Sequence, residues 1–249
     1  MNTTTYGAPI PAPAYLAAVR SPVGLGVAVS LLLVAVIITD MLSIASGGYL
    51  YVLLRELPDS AAALDAVSHA GNRQLYYDLT GMLQSLLYFS TGIVYVCWLY
   101  RLRDNAEVFA PGAHRHGRSW TGWGWLIPVV NLWFPRRVTL DIWNASRSAE
   151  SQATTSRPGH GLINLWWGFW LAEGLFALVG GVSYEAAESI DRTNASIGLL
   201  VLSDVFDIVC AVLTVRLVRT LTHMQHIKVM AGRSGRGGES QVQVAHDMR

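Results

Sequence analysis

The sequence predicts an all-α integral membrane protein: four transmembrane helices, with a Trp/Pro-rich re-entrant or interfacial segment between the second and third. Three observations predict it. Of the 249 residues, 52% are hydrophobic and only 14% charged, where a soluble domain carries about 25% charge; mean hydropathy is +0.34. The apolar residues gather in four runs, each reaching the roughly 20 residues needed to cross about 30 Å of hydrocarbon as helix. The basic residues sort by loop, so that 15 of the 18 fall on one side of such a bundle.

Residues 1–22 are Pro/Ala/Thr-rich and read as a flexible tail. The tail lacks the basic start of a secretory signal, and the apolar run after it is too long for a signal core. The predicted membrane domain covers 23–228, with spans at about 23–46, 79–100, 162–182 and 197–217. A loop of about thirty residues, 47–78, joins the first two, and a short polar turn, 183–196, joins the last two. Residues 229–249 are Gly/Ser/Arg-rich and read as a disordered tail.

The doubtful element is WTGWGWLIPVVNLWFPRR, 120–137, within a predicted insert of 119–148. Its uninterrupted apolar core, 125–134, reaches only about 15 Å as helix. Extension to Trp143 would carry Arg136, Arg137 and Asp141 into lipid, at about 2.5–3.5 kcal/mol each near the bilayer centre. Pro128 and Pro135 each remove a backbone donor. If the stretch does not cross, one side of the membrane carries Arg20, eight arginines from Arg101 to Arg157 and six basic residues from Arg216 to Arg249. The other side keeps only Arg55, Arg73 and Arg192. If it does cross, the split is 12 against 6. The positive-inside bias therefore predicts a non-crossing insert, both termini cytoplasmic, in the plasma membrane.

The strings WLYRLRDN (98–105) and GWLIPVVNLWFPRRVTLDIWNAS (124–146) resemble an actinobacterial membrane family described as domain of unknown function 4328. The residues that carry the resemblance are Arg101 or Arg103, Asn105, Trp125, Pro128, Asn131, Pro135, Trp143, Ala145 and Ser146. It covers about 80–220 well. Arg136-Arg137 is more basic than that family's usual residues after the second proline. The resemblance implies a fold and no activity.

Two groups of residues are candidates for function. Asp40, Glu173, Asp204 and Asp207 lie inside the predicted spans with no Lys, Arg or His at comparable depth, and intramembrane acids suggest function by default. They form either an acidic pocket for a proton or cation, or carboxyls bonded across the bundle to Gln84, Tyr88, Ser90 or Thr91. Ser203, Asp207, Cys210 and Thr214 share one helix face. The second group is the basic, Trp-rich face: Trp125, Asn131, Trp133, Arg136, Arg137, Arg101, Arg103 and Asn105. Eight of nine tryptophans fall between 120 and 170, which suits an interfacial anchor or a platform for a lipid headgroup whose phosphate the arginines hold. Asn131 is expected to bond backbone groups freed at Pro128.

No catalytic constellation, metal site or cofactor motif is legible: HExxH, GxSxG, P-loop and GxGxxG patterns are all missing. The Asp204-x-x-Asp207 pair lacks the second cluster that diphosphate chemistry needs. No histidine lies in a span; His114 and His116 read as solvated loop residues. Cys97 and Cys210 read as unpaired packing residues. Nothing points to nucleic acid. The expected partners are the lipid bilayer and, at the basic face, an anionic lipid headgroup or a membrane protein; a homo-oligomer stays open. Gly24/Ala28 and Ala177/Gly181 are spaced for close helix approach. The leading function is non-enzymatic lipid or partner binding through the basic, Trp-rich face, because no catalytic constellation appears; the alternatives are a small transporter or channel component using the acids and a membrane enzyme on a lipid-like substrate.

Overall fold

The computed structural model describes residues 19–55, 72–112, 114–147 and 160–247. Among them are six α-helices, one 3-10 turn and no strand: α1 (Val23–Arg55), α2 (Asn72–Phe109), α3 (Trp120–Leu126), the turn Val130–Leu132, α4 (Phe134–Ser146), α5 (Gly161–Glu185) and α6 (Ile190–Asp247). Four of these, α1, α2, α5 and α6, are long and apolar enough to cross a membrane. They contain the four predicted spans. Helix continues past each span because residues outside hydrocarbon can be polar and helical alike. Thus α1 runs on to Arg55 and α2 begins at Asn72, which makes half of the loop predicted for 47–78 helical; residues 56–71 lie outside the described part. α2 stops at Phe109, before Pro111, and Gly112 follows with φ +70°, a conformation that glycine adopts without strain.

Composition predicts disorder from 229, whereas α6 continues to Asp247. This stretch contains no proline, and adding residues to an existing helix avoids the cost of nucleation. The tail predicted at 1–22 lies outside the described residues up to 18.

α6 is the central helix, packing along α5 on one side and α1 on the other, with α2 against α1. The close approaches do not use the expected small-residue pairs. Gly24 and Gly181 face open space. Gly26 instead meets α6, where an added Cβ would sit 3.2 Å from Thr222 and 3.3 Å from Val218. Gly180 does the same against Leu199 and Leu200. The outward faces remain apolar, with Leu31, Leu86, Phe89 and Leu178 exposed, as helices surrounded by hydrocarbon require.

The insert is two short helices around a break. Pro128 follows α3, and the Asn131 N–H donates to Ile127 O at 2.8 Å. Pro135 stands in the first turn of α4, where its missing N–H costs nothing. α4 buries Val138, Thr139, Ile142, Trp143, Ala145 and Ser146 against the bundle. Most of the core lies at this end, around Trp98, Leu102, Ile142, Trp166 and Leu217; a smaller cluster of Leu54, Ile190 and Ile197 closes the other.

Candidate functional site: a carboxyl cluster among the four long helices, and the insert

All four long helices contribute to one polar cluster. The Tyr88 hydroxyl on α2 donates to Asp207 on α6. Gln84, one turn earlier, donates to Asp40 Oδ1 on α1 at 3.1 Å. Asp40 is fully buried; its Oδ2 meets no N–H or O–H donor, and its carboxyl lies at hydrogen-bonding range of Asp207. Asp204 lies near Ser43 of α1, and Glu173 of α5 lies within electrostatic reach of Asp204 and Asp207. The four acids are thus gathered, and Gln84 and Tyr88 are the neutral partners that hold two of them. A carboxyl–carboxyl hydrogen bond requires one proton between its members. Among the described residues, no three of these groups come together in metal-holding geometry.

The predicted basic face divides. Arg103 and Asn105 point inward. Arg103 bonds Glu107 at 2.6 Å and the His116 carbonyl at 3.4 Å. Asn105 Nδ2 donates to Gln225 Oε1 at 2.9 Å and to Arg20 O at 2.8 Å, while its Oδ1 accepts from Arg20 N. Gln225 Nε2 in turn donates to Leu102 O and to Ser146 Oγ. Lys228 Nζ closes the C-terminal end of α4 by donating to Ala145 O at 2.8 Å and Arg147 O at 3.1 Å. Asn105 and Gln225 therefore tie α2, α4 and α6 together, and the polar groups of Arg103 and Asn105 are engaged within the protein. Arg136 is committed to Asn164 of α5 through two bonds of 3.0 and 2.6 Å. Arg101 donates to Ser21 O at 3.2 Å and is exposed along that bond, and Arg137 is exposed.

Trp125 is half-buried in an aromatic assembly with Tyr95, Trp166, Trp167 and Trp170, edge-to-face on Trp170 at 5.8 Å and on Tyr95 at 5.6 Å. The Trp167 indole donates to Leu132 O at 3.2 Å, fastening α5 to the turn. Such ring pairs add about 0.5–1.5 kcal/mol beyond their burial. Asn131 does not bond backbone freed at Pro128 through its side chain: its Oδ1 is buried without a partner. Trp133 is exposed, as are Trp123, Leu126, Val129 and Leu132 of the same segment. The insert so presents an apolar outer face and buries its Trp125 side.

His114 is not solvated. Its side chain is 2% exposed, with Nε2 3.7 Å from Glu107, and His116 packs edge-to-face on Phe134. His223 and His226 are exposed. Cys97 and Cys210 are both free. At the start of α5, partial burial and then the Arg136 and Arg147 charges push the His160 imidazole below its ordinary value. Arg118, held by Asp104 at 2.5 and 2.9 Å, is pushed further up.

Gln225, Tyr95 and Thr139 did not stand out in the sequence. Gln225 is signalled only by register: it continues the α6 face of Asp207 and Thr214 at helical spacing. No curated protein and no solved structure matches the chain. The model of the domain of unknown function DUF4328 matches residues 61–223. That range holds Asn105, Trp125 and Ser146, the motif residues just located, together with Glu173, Asp204 and Asp207, and the chain belongs to this family.

Proposed function

We propose that the protein is a small membrane transporter or channel component that binds a proton at its carboxyl cluster, with both termini cytoplasmic in the plasma membrane. One observation carries the reading: four helices each bring a polar group to one buried carboxyl pair, Asp40 and Asp207, with Gln84 and Tyr88 as its donors. Acids are costly in hydrocarbon and persist facing a bundle interior where they act. The orientation rests on the charge split, 15 basic residues against three. The test is proton flux into vesicles reconstituted with the full chain, enclosing a pH-sensitive dye and driven by a potassium gradient with valinomycin. Flux above that of empty vesicles, lost in Asp40→Asn/Asp207→Asn, is expected; an equal rate in empty and loaded vesicles overturns the reading.

A second reading, binding of anionic lipid or a protein partner, is favoured by the exposed Trp123, Leu126, Leu132 and Trp133 beside Arg137. It takes the insert as lying in the cytoplasmic leaflet. Fewer arginines are available for it than the sequence predicts, because Arg103 and Arg136 are held by Glu107 and Asn164.

A further inference from the structure

We propose that a proton path joins the carboxyl cluster to the insert, passing Tyr95, and that Trp125 stoppers its end; this rests on the proton-binding reading above. Two polar stripes run from the cluster toward the insert. On α2 they are Gln84, Tyr88, Thr91 and Tyr95, spaced four, three and four residues, hence on one face. On α6 they are Ser203, Asp207, Cys210 and Thr214, all buried. The helices meet at Tyr88–Asp207 and again at Trp98–Thr222, where the indole donates at 3.3 Å. The stretch between these contacts holds Thr91, Tyr95, Cys210 and Thr214.

The Thr91 and Thr214 hydroxyls donate to Leu87 O and Cys210 O on their own helices at 2.7 Å. Their oxygens stay available as acceptors. The Tyr95 hydroxyl is buried without a protein hydrogen-bond partner, within electrostatic reach of Cys210 on α6, and its ring meets Trp125. Seven residues of helix separate Tyr88 from Tyr95, about 10 Å, a gap that two or three waters among these hydroxyls would bridge. At the insert end, the Trp125 indole N–H, the Thr121 hydroxyl and Asn131 Oδ1 are buried without a protein partner. Thr121 and Trp125 are one turn apart on α3, so they share a face. Unpaired buried polar groups are costly; here they supply both donors and acceptors where a relay would emerge. Each hydroxyl or water accepts one proton and passes on another, so the chain ends unchanged and one proton is delivered to, or taken from, the Asp40–Asp207 pair.

The vesicle flux assay tests this with the full chain, using Asp207→Asn, Tyr95→Phe, Trp125→Ala and Trp125→Phe, each checked for a monodisperse elution profile in detergent. Tyr95→Phe keeps the ring and loses the relay group; it should slow flux about a hundredfold, the lower end of what one positioned proton donor contributes. Trp125→Ala should raise flux, and Trp125→Phe should raise it less, because the ring still fills the space. If Trp125→Ala does not elute as a single species, Trp125→Phe and Tyr95→Phe decide. If Asp207→Asn abolishes flux while Tyr95→Phe and Trp125→Phe both match wild type, the path is overturned and proton binding stands. If wild type does not exceed empty vesicles, both are overturned.

Discussion

Asn105 on α2 and Gln225 on α6 are 120 residues apart and bond side chain to side chain at 2.9 Å, each almost fully buried. Gln225 also reaches Ser146 at 3.1 Å, so two residues of the family motif, Asn105 and Ser146, share one amide. Gln225→Leu should lower unfolding stability by about 1–3 kcal/mol for each polar group left without a partner. Thermal unfolding in detergent, followed by tryptophan fluorescence, measures it. An unchanged midpoint would show that the network does not hold the three helices.

The Gly26 and Gly24 positions offer a paired test of the α1–α6 contact. Gly26→Leu places a side chain against Thr222 and Val218 and should cost about 1–3 kcal/mol through overpacking. Gly24→Leu enters open space and should stay within about 0.5 kcal/mol. Comparable losses from both would contradict the helix rotation described.

Trp125 fastens the insert through four aromatic neighbours. Trp125→Ala should cost about 3–5 kcal/mol, the usual range for a large aromatic removed from a core. Looser docking should also speed limited trypsin cleavage at Arg118, Arg136 and Arg137. Protection equal to wild type would mean that α4 alone holds the segment.

His160 gives the pH dependence its sign. Its folded value is pushed down, first by burial and then by Arg136 and Arg147. The unfolded chain therefore binds the proton more readily. The resulting stabilisation is complete above the unfolded histidine value of about 6.5 and is lost as pH falls through it toward the folded value. An imidazolium is also unfavourable at the start of α5. Unfolding midpoints at pH 7.5 and 5.5 should show a fall toward acid that His160→Gln reduces. An identical slope in both proteins would remove His160 from the account.

The proposed topology puts residues 112 and 155 on one side. Gly112→Cys and Thr155→Cys, introduced singly with Cys97 and Cys210 replaced by Ala, should both react with a membrane-impermeant thiol reagent only after the cytoplasmic face is opened. Labelling from opposite faces would mean that the insert crosses.

The four spans and the shortness of the insert were legible because hydropathy adds up over contiguous residues, and no distant partner alters the sum. The acids were legible as exceptions to that sum, and so were Gln84 and Tyr88 as two of the polar groups within their reach. The fate of the basic face was not. Arg101 and Arg103 look alike in sequence, yet one lies along an exposed bond to Ser21 and the other is buried against Glu107.

The sequence by itself determined that four long apolar helices form, which residues make their apolar stretches, and which carboxyls lie among them. Tertiary structure decided who meets whom. A helix turns about 100° per residue, so moving from Gly24 to Gly26 carries a contact to the opposite face. Asp40 with Asp207, Asn105 with Gln225, and Trp125 with Tyr95 each depend on the rotation and crossing of two helices together, which neither segment encodes alone.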